Sequence, residues 1–271
     1  MAQGFTGGKF VRSPVSNFGT GGMLTNLTAA ARTGTALTNG GSTHTKAASY
    51  TTLIASTGAR AYGIWVHLHT TSVANNNQAY TVDIAIGAAA SETIIIPDIG
   101  VEGATAVPGR NWYFPGLDIA QGERISARSQ GDVASATLRV DVFLETEVQW
   151  NVTPGVWTAY GFNSGTTRGT SQPTGNGAFG AWTQIGTAST DHKLFEVWCG
   201  MGGPVNQELY ELGKGPNIGA VTTIGTFLYH RVDDSGVATP PIQSGTIANG
   251  DGIWVRGSGN GTTHDAIVYA R

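Results

Sequence analysis

The stretch Ile119-Ala120-Gln121-Gly122-Glu123-Arg124-Ile125-Ser126-Ala127-Arg128 reappears as Ile247-Ala248-Asn249-Gly250-Asp251-Gly252-Ile253-Trp254-Val255-Arg256. Both share Ile-Ala, an amide, a glycine, an acid, an isoleucine and a closing arginine, at an offset of 128 residues. Solenoid units repeat every 20–50 residues or so, so a spacing this large indicates a duplicated domain. Working outward, Tyr50-Thr51-Thr52-Leu53 matches Trp182-Thr183-Gln184-Ile185, and Ile64-Trp65 matches Val197-Trp198. Val82 to Ala88 has its counterpart near Glu208 to Gly215, and Ile267 to Ala270 closes the chain where Leu138 to Leu144 closes the first unit. The offsets drift by a few residues, as loop lengths do when a core is retained.

Strand signals dominate both units. Tyr80, Val82, Ile84 and Ile86 fall on one face of an alternating run, with polar or small residues on the other. Thr137 to Glu145 puts Leu138, Val140, Val142 and Leu144 inward and Arg139, Asp141 and Glu145 outward. Ala61 to His69, Glu92 to Pro97 and Gly122 to Arg128 complete a set of short strands between Gly, Asn and Pro turns. Period-two patterns at this spacing predict an antiparallel sandwich or barrel with one wet face. Leu24 to Ala31 is the one modest helix candidate. The expected division is an extended N-terminal arm over 1–47, a sandwich over 48–145, an aromatic and Gly-rich connector over 146–180, and a second sandwich over 181–271. Part of the connector is expected to join the second sandwich as strand or arm.

Charged residues make up 12% of the chain, against roughly 25% in an average domain, and 40 of the 271 residues are glycine. Apolar runs are far shorter than the ~20 residues that span a bilayer, so no membrane association is expected. Net charge is −3 without a polybasic block, which leaves no electrostatic footprint for nucleic acid. The single cysteine, Cys199, excludes an intrachain disulfide and reads as a buried thiol. The N-terminus lacks a charged start and apolar stretch, so assembly in the cytoplasm is expected. Weakly charged surfaces desolvate easily and suit packing against copies or partners.

No catalytic motif stands out, and no cofactor or metal is expected. Gly257-Ser258-Gly259-Asn260-Gly261 lacks the Gly-Lys-Ser/Thr end of a phosphate loop and reads as a hairpin turn. His67 and His69 share a strand face, where ordinary polar strand residues outweigh a metal pair. Asp233 and Asp234, near His230 and Arg231, read as turn residues. Arg128 and Arg256 end equivalent strands. Either they contact a partner carboxylate or a neighbouring subunit, or they bond their own sheet or the acid of the preceding turn, here Glu123 and Asp251. Trp65, Trp198 and Trp254 alternate with aliphatics and read as packing. Arg110, Trp112 and Tyr113, in a loop-like Pro-rich segment, form the best platform for stacking on a sugar ring, although packing carries the larger share. Phe5, Phe10 and Phe18 suggest that the arm docks on something.

The segment Leu117 to Arg128, with its Ala-Gln-Gly turn before Arg124-Ile125-Ser126-Ala127-Arg128, resembles a motif of β-sandwich modules in structural proteins of tailed bacteriophages. The resemblance covers roughly residues 48–145 and 181–271. It implies an all-β fold of two tandem antiparallel, jelly-roll-like β-sandwich domains related by internal duplication, and a role as a virion component. Head decoration or cement protein, collar, tail and fibre part are the implied roles, and no catalytic residue carries over. Partners are expected to be the chain itself, as a homo-oligomer with a trimer among the options, and other virion proteins. The rival reading is a carbohydrate-binding module or receptor-binding adhesin that takes a host glycan.

Overall fold

The computed structural model describes residues 23–25, 34–70, 78–103, 110–146, 154–200, 207–230 and 246–271. Phe5, Phe10, Phe18, Arg231, Asp233 and Asp234 lie outside these residues.

The first nine strands follow the alternating runs. They are β1 (Met23–Thr25), β2 (Thr35–Thr38), β3 (Thr51–Ile54), β4 (Ala61–Thr70), β5 (Gln78–Ile86), β6 (Thr93–Gly103), β7 (Arg110–Ile119), β8 (Ile125–Gly131) and β9 (Thr137–Glu145). One sheet runs β1-β9-β4-β7, with β2 also on β9, and the other runs β3-β8-β5-β6. The eight strands β2 to β9, switching sheets in the order β2-β9-β4-β7 and β3-β8-β5-β6, make a jelly roll, and β1 adds to β9. The second unit comprises β10 (Thr158–Tyr160), β11 (Thr170–Phe179), β12 (Thr183–Thr187), β13 (Phe195–Gly200), β14 (Gln207–Gly215), β15 (Thr222–His230), β16 (Gly252–Asn260) and β17 (Thr263–Ala270). Its β12-β16-β14-β15 order repeats β3-β8-β5-β6, and β10 and β11 pair with β17, which pairs with β13, as β1 and β2 pair with β9 and β9 with β4.

The repeated sequence makes the same turn twice. Glu123 N–H donates to Ala120 O and Asp251 N–H to Ala248 O, with Gly122 at φ 90° and Gly250 at φ 89°. A positive φ at the third turn position is why glycine recurs there.

Three expectations change. Met23–Thr25, overlapping the start of the helix candidate, is a strand paired with Phe143–Glu145; residues 26–31 of that candidate lie outside the described residues. Gly257 to Gly261 is no hairpin. β16 runs through it to Asn260 and pairs with β14 and β11, and the chain turns at Gly261 (φ 79°) into β17, which pairs with β10, β11 and β13.

The faces expected to be wet are also covered in places: Thr81, Asp83 and Ala85 are buried beside their inward neighbours, as are Asp141 and Glu145. Over β5 and β8 the reason is a roof of chain. His44 Nδ1 bonds the Thr167 hydroxyl at 2.9 Å, and Gln130 donates to Thr167 Oγ1 at 3.1 Å and to Ser164 O at 3.2 Å. The roof joins the segment after β2 to the β10–β11 loop.

Candidate interaction surfaces

Each repeated arginine sits in the same clasp. In the register of β5 on β8, Arg128 lies opposite Asp83, and in that of β14 on β16, Arg256 lies opposite Glu211. Arg128 Nε donates to Asp83 Oδ2 at 2.9 Å, and Arg256 Nε donates to Glu211 Oε2 at 2.6 Å. The Arg128 guanidinium lies 4.7 Å from the Tyr50 ring centre, and that of Arg256 lies 4.4 Å from Trp182 and 4.9 Å from Phe179. Planar guanidinium suits both the carboxylate and the aromatic face.

The acids of the preceding turns are not the partners. Asp251 accepts from Ala248 N–H instead, because a residue directly across a sheet comes nearer than one five positions back along the same strand. Arg128→Ala and Arg256→Ala are each expected to cost about 1–2 kcal/mol through a lost charged hydrogen bond and stacking contact. Thermal melting of each variant checks this. Unchanged melting with lost assembly would assign the arginines to a partner.

Asp83 is the node of a wider network. Its side chain is fully buried and accepts from Lys46 Nζ at 2.8 Å on both oxygens, from Arg128, and from Asp98 N–H at 3.0 Å. Lys46 also lies 2.7 Å from Asp98 Oδ1 and sits 5.8 Å from the Phe162 ring centre. Asp98 adopts φ 52°, in the left-handed region that Asp and Asn tolerate best. Burial, and then the Asp83 charge, push its carboxyl up to about 6 against the pull of Lys46 and Arg128.

The folded chain thus holds a proton on Asp98 that the unfolded chain releases between about pH 4 and 6. Stability from this group is present at the acid end of that window and is lost as pH rises through 6. Asp98→Asn removes this titrating carboxyl, so the melting temperature of wild type minus variant is expected to rise as pH falls from 7 to 5. Calorimetry across that range reads the difference, and a pH-independent one would remove the assignment.

A seam of aromatics joins the two sandwiches. On β13 and β17, Phe195, Val197, Cys199, Ala266 and Val268 face the second core, whereas Trp198, Ile267 and Tyr269 face the first unit and join its core. Tyr269 makes edge contacts with Trp112 at 5.3 Å and Phe114 at 5.7 Å, and Trp157 packs on Phe114 at 5.2 Å. Backbone at the edges of β6 and β7 is satisfied from the second unit. Trp157 N–H donates to Ile95 O at 2.9 Å, and its indole N–H donates to Pro115 O at 3.2 Å. The Tyr269 hydroxyl accepts from Gly100 N–H at 2.8 Å and donates to Asp98 O at 2.7 Å.

The sugar-stacking platform is corrected here. Trp112 is 1% exposed and belongs to the seam, and Tyr113 is half-buried with its ring stacked on Trp65 at 4.4 Å. The prolines and glycines around residues 108–115 suggested a loop, yet β7 pairs in register with β4, Trp112 opposite Val66. Period two therefore sends Trp112 and Phe114 inward. Arg110 opens β7. His67 and His69 lie on the opposite face with ring centres 5.8 Å apart, and His67 bonds Asn111 at 2.6 Å. Among the described residues no group of three or more His, Cys, Asp or Glu is arranged to hold a metal, and no helix is long and apolar enough to cross a membrane.

No protein-family model matches the chain, and no curated protein does. Among solved structures, one described as the crystal structure of the STIV MCP is similar in outline, with 11% identity and a TM-score of 0.33 over 92% of this chain and 96% of that one. The jelly-roll assignment rests on the strand order of the chain itself.

Proposed function

We propose that the protein is a non-enzymatic structural component of a virus particle, acting through protein–protein contacts. A jelly roll serves viral capsids, lectins and cupins alike, so the fold does not choose between them. The observation that carries the reading is the seam: one jelly roll buries the outer face of a sheet against the open strand edges of a second, like unit. A weakly charged chain that joins like units in this way suits lattice or ring building. The recurrence of strand order, turn and arginine clasp fits duplication of one ancestral unit.

Self-association into a closed symmetric oligomer such as a trimer, and contact with other virion proteins, belong to this proposal. So does the finer assignment to a tailed-phage head decoration, collar, tail or fibre, supported by the Leu117 to Arg128 motif. The glycan-binding rival is weakened by the burial of Trp112.

Immunogold electron microscopy on a lysate of the source tests the reading. Gold on particles is expected, and its position on head, neck or tail names the part. Gold on cell surfaces, or on no particle, would overturn the proposal and turn attention to a glycan array.

A further inference from the structure

The seam has two sides, and each has a counterpart elsewhere in the chain. On the second unit, the covering face is that of β13 and β17, where Trp198 pairs across to Ile267. The equivalent pair in the first unit is Trp65 opposite Phe143, on β4 and β9. Tyr113 on β7 extends that row on the other side of Trp65.

Burial separates the two faces. Trp198 is 1% exposed and Ile267 is fully buried, while Trp65, Tyr113 and Phe143 remain half-buried. The difference has a plain cause: among the described residues the first unit covers the second unit's face, while no like unit stands against the first unit's.

The covered side repeats as well. In the first unit it is the outer edge of β6, whose Ile95, Asp98 and Gly100 backbone groups bond Trp157 and Tyr269. Its counterpart is β15, the edge strand after β14 as β6 is after β5. Among the described residues β15 pairs only with β14. Its sequence, Thr222-Thr223-Ile224-Gly225-Thr226-Phe227-Leu228-Tyr229-His230, carries no Lys, Arg, Asp, Glu or Pro. Edge strands without such guards are templates for pairing and are normally covered. Thr222, Thr223 and Thr226 are exposed, and Leu209 on neighbouring β14 is 44% exposed.

We propose that the aromatic row Tyr113-Trp65-Phe143 docks the β15 edge of a second copy of this chain, repeating between chains the contact that joins the two units within one. The inference rests on the structural-component reading and specifies its self-association. Such a contact is heterologous, because different surfaces meet. It closes into a ring if the rotation permits and otherwise runs on as a filament. Continuity with the internal seam selects a second copy as the occupant.

Heterologous docking makes a prediction that symmetric docking does not. Trp65→Arg spoils one surface and Thr226→Arg the other, so each variant alone is expected to be monomeric by light scattering at concentrations where wild type assembles. Mixed in equal amounts, the two are expected to form a dimer, since each retains the surface that the other has lost. Both positions are at least partly exposed, so the variants are expected to melt within a few degrees of one another; a variant that fails to fold is replaced by Phe143→Arg or Thr223→Arg.

Assembly of either folded variant like wild type, or no dimer on mixing, would overturn the inference. A monomeric wild type would overturn it too, and if deletion of residues 1–22 then allowed assembly, the arm of the same chain would be the occupant. Particle labelling is independent of these results. Gold on particles with this contact disproved would retain the structural reading and remove only the interface.

Discussion

Trp198→Ala is expected to cost about 3–5 kcal/mol, the range for deleting a buried tryptophan. It should also uncouple the two sandwiches. Trp198 leaves β13 on the side away from its own core and is buried in the core of the first unit. There it lies so close to β6 that a Cβ added to Gly100 would stand 2.6 Å from its ring. Removing the indole opens a cavity between units rather than within one. Wild type is expected to unfold in a single transition in urea, and Trp198→Ala in two, the first at lower denaturant. Gly100→Ala attacks the same contact from the other side by overpacking and should cost about 1–3 kcal/mol. One shared transition at an unchanged midpoint in both variants would mean that the seam contributes little to cohesion.

Asp83→Ala should rank next, at about 3 kcal/mol, the lower end of the cost of breaking a buried ion pair. The lower end applies because Lys46 and Arg128 are each about a quarter exposed, so water screens what the fully buried carboxylate does not. Loss of Asp83 strands Arg128 and the Asp98 N–H together and leaves Lys46 with Asp98 as its one remaining acid. The counterpart, Glu211→Ala, frees only Arg256 and should cost about 1–2 kcal/mol. Equilibrium unfolding of the two variants side by side reads the difference. A further readout is acid–base. Without the negative charge of Asp83 beside it, the Asp98 carboxyl should titrate lower, and NMR titration of the side chain would follow it. Equal costs for the two variants would mean that the network beyond the arginine clasp adds nothing.

Much of the fold was legible because it depends on local pattern. Leu138, Val140, Val142 and Leu144 alternate, and all four are fully buried on one strand with the bounds the pattern suggested. The Gly122 and Gly250 turns were visible because only glycine takes that backbone angle cheaply. What failed depended on contacts between distant segments. Asp83 looked like an outward strand residue, since nothing in its neighbours announces that Lys46, thirty-seven positions earlier, will cover it. Packing was the favoured reading of Trp112, but its flanking prolines and glycines suggested a loop, and the Tyr269 ring that buries it comes from the last strand of the chain. The arginines were found by their recurrence and were expected to bond their own sheet or the acid of the preceding turn; the antiparallel register chooses the residue across the sheet over the one nearest in sequence.

By itself the sequence determined the all-β class, the positions of the regularly alternating strands, the repeated glycine turn, the recurrence of one stretch at a fixed offset, and a surface poor in charge. These follow from periodicity, glycine backbone freedom and composition, which are properties of neighbouring residues. Only the tertiary structure decided which acid each arginine holds, that Trp112 packs inside the seam, and that one sheet face is covered while its counterpart stays half-open. Those outcomes depend on which strands meet across the sheets and between the two sandwiches. Closing a loop of a hundred residues costs only slightly more entropy than closing one of fifty, so burial in the assembled core, rather than distance along the chain, selects the partners.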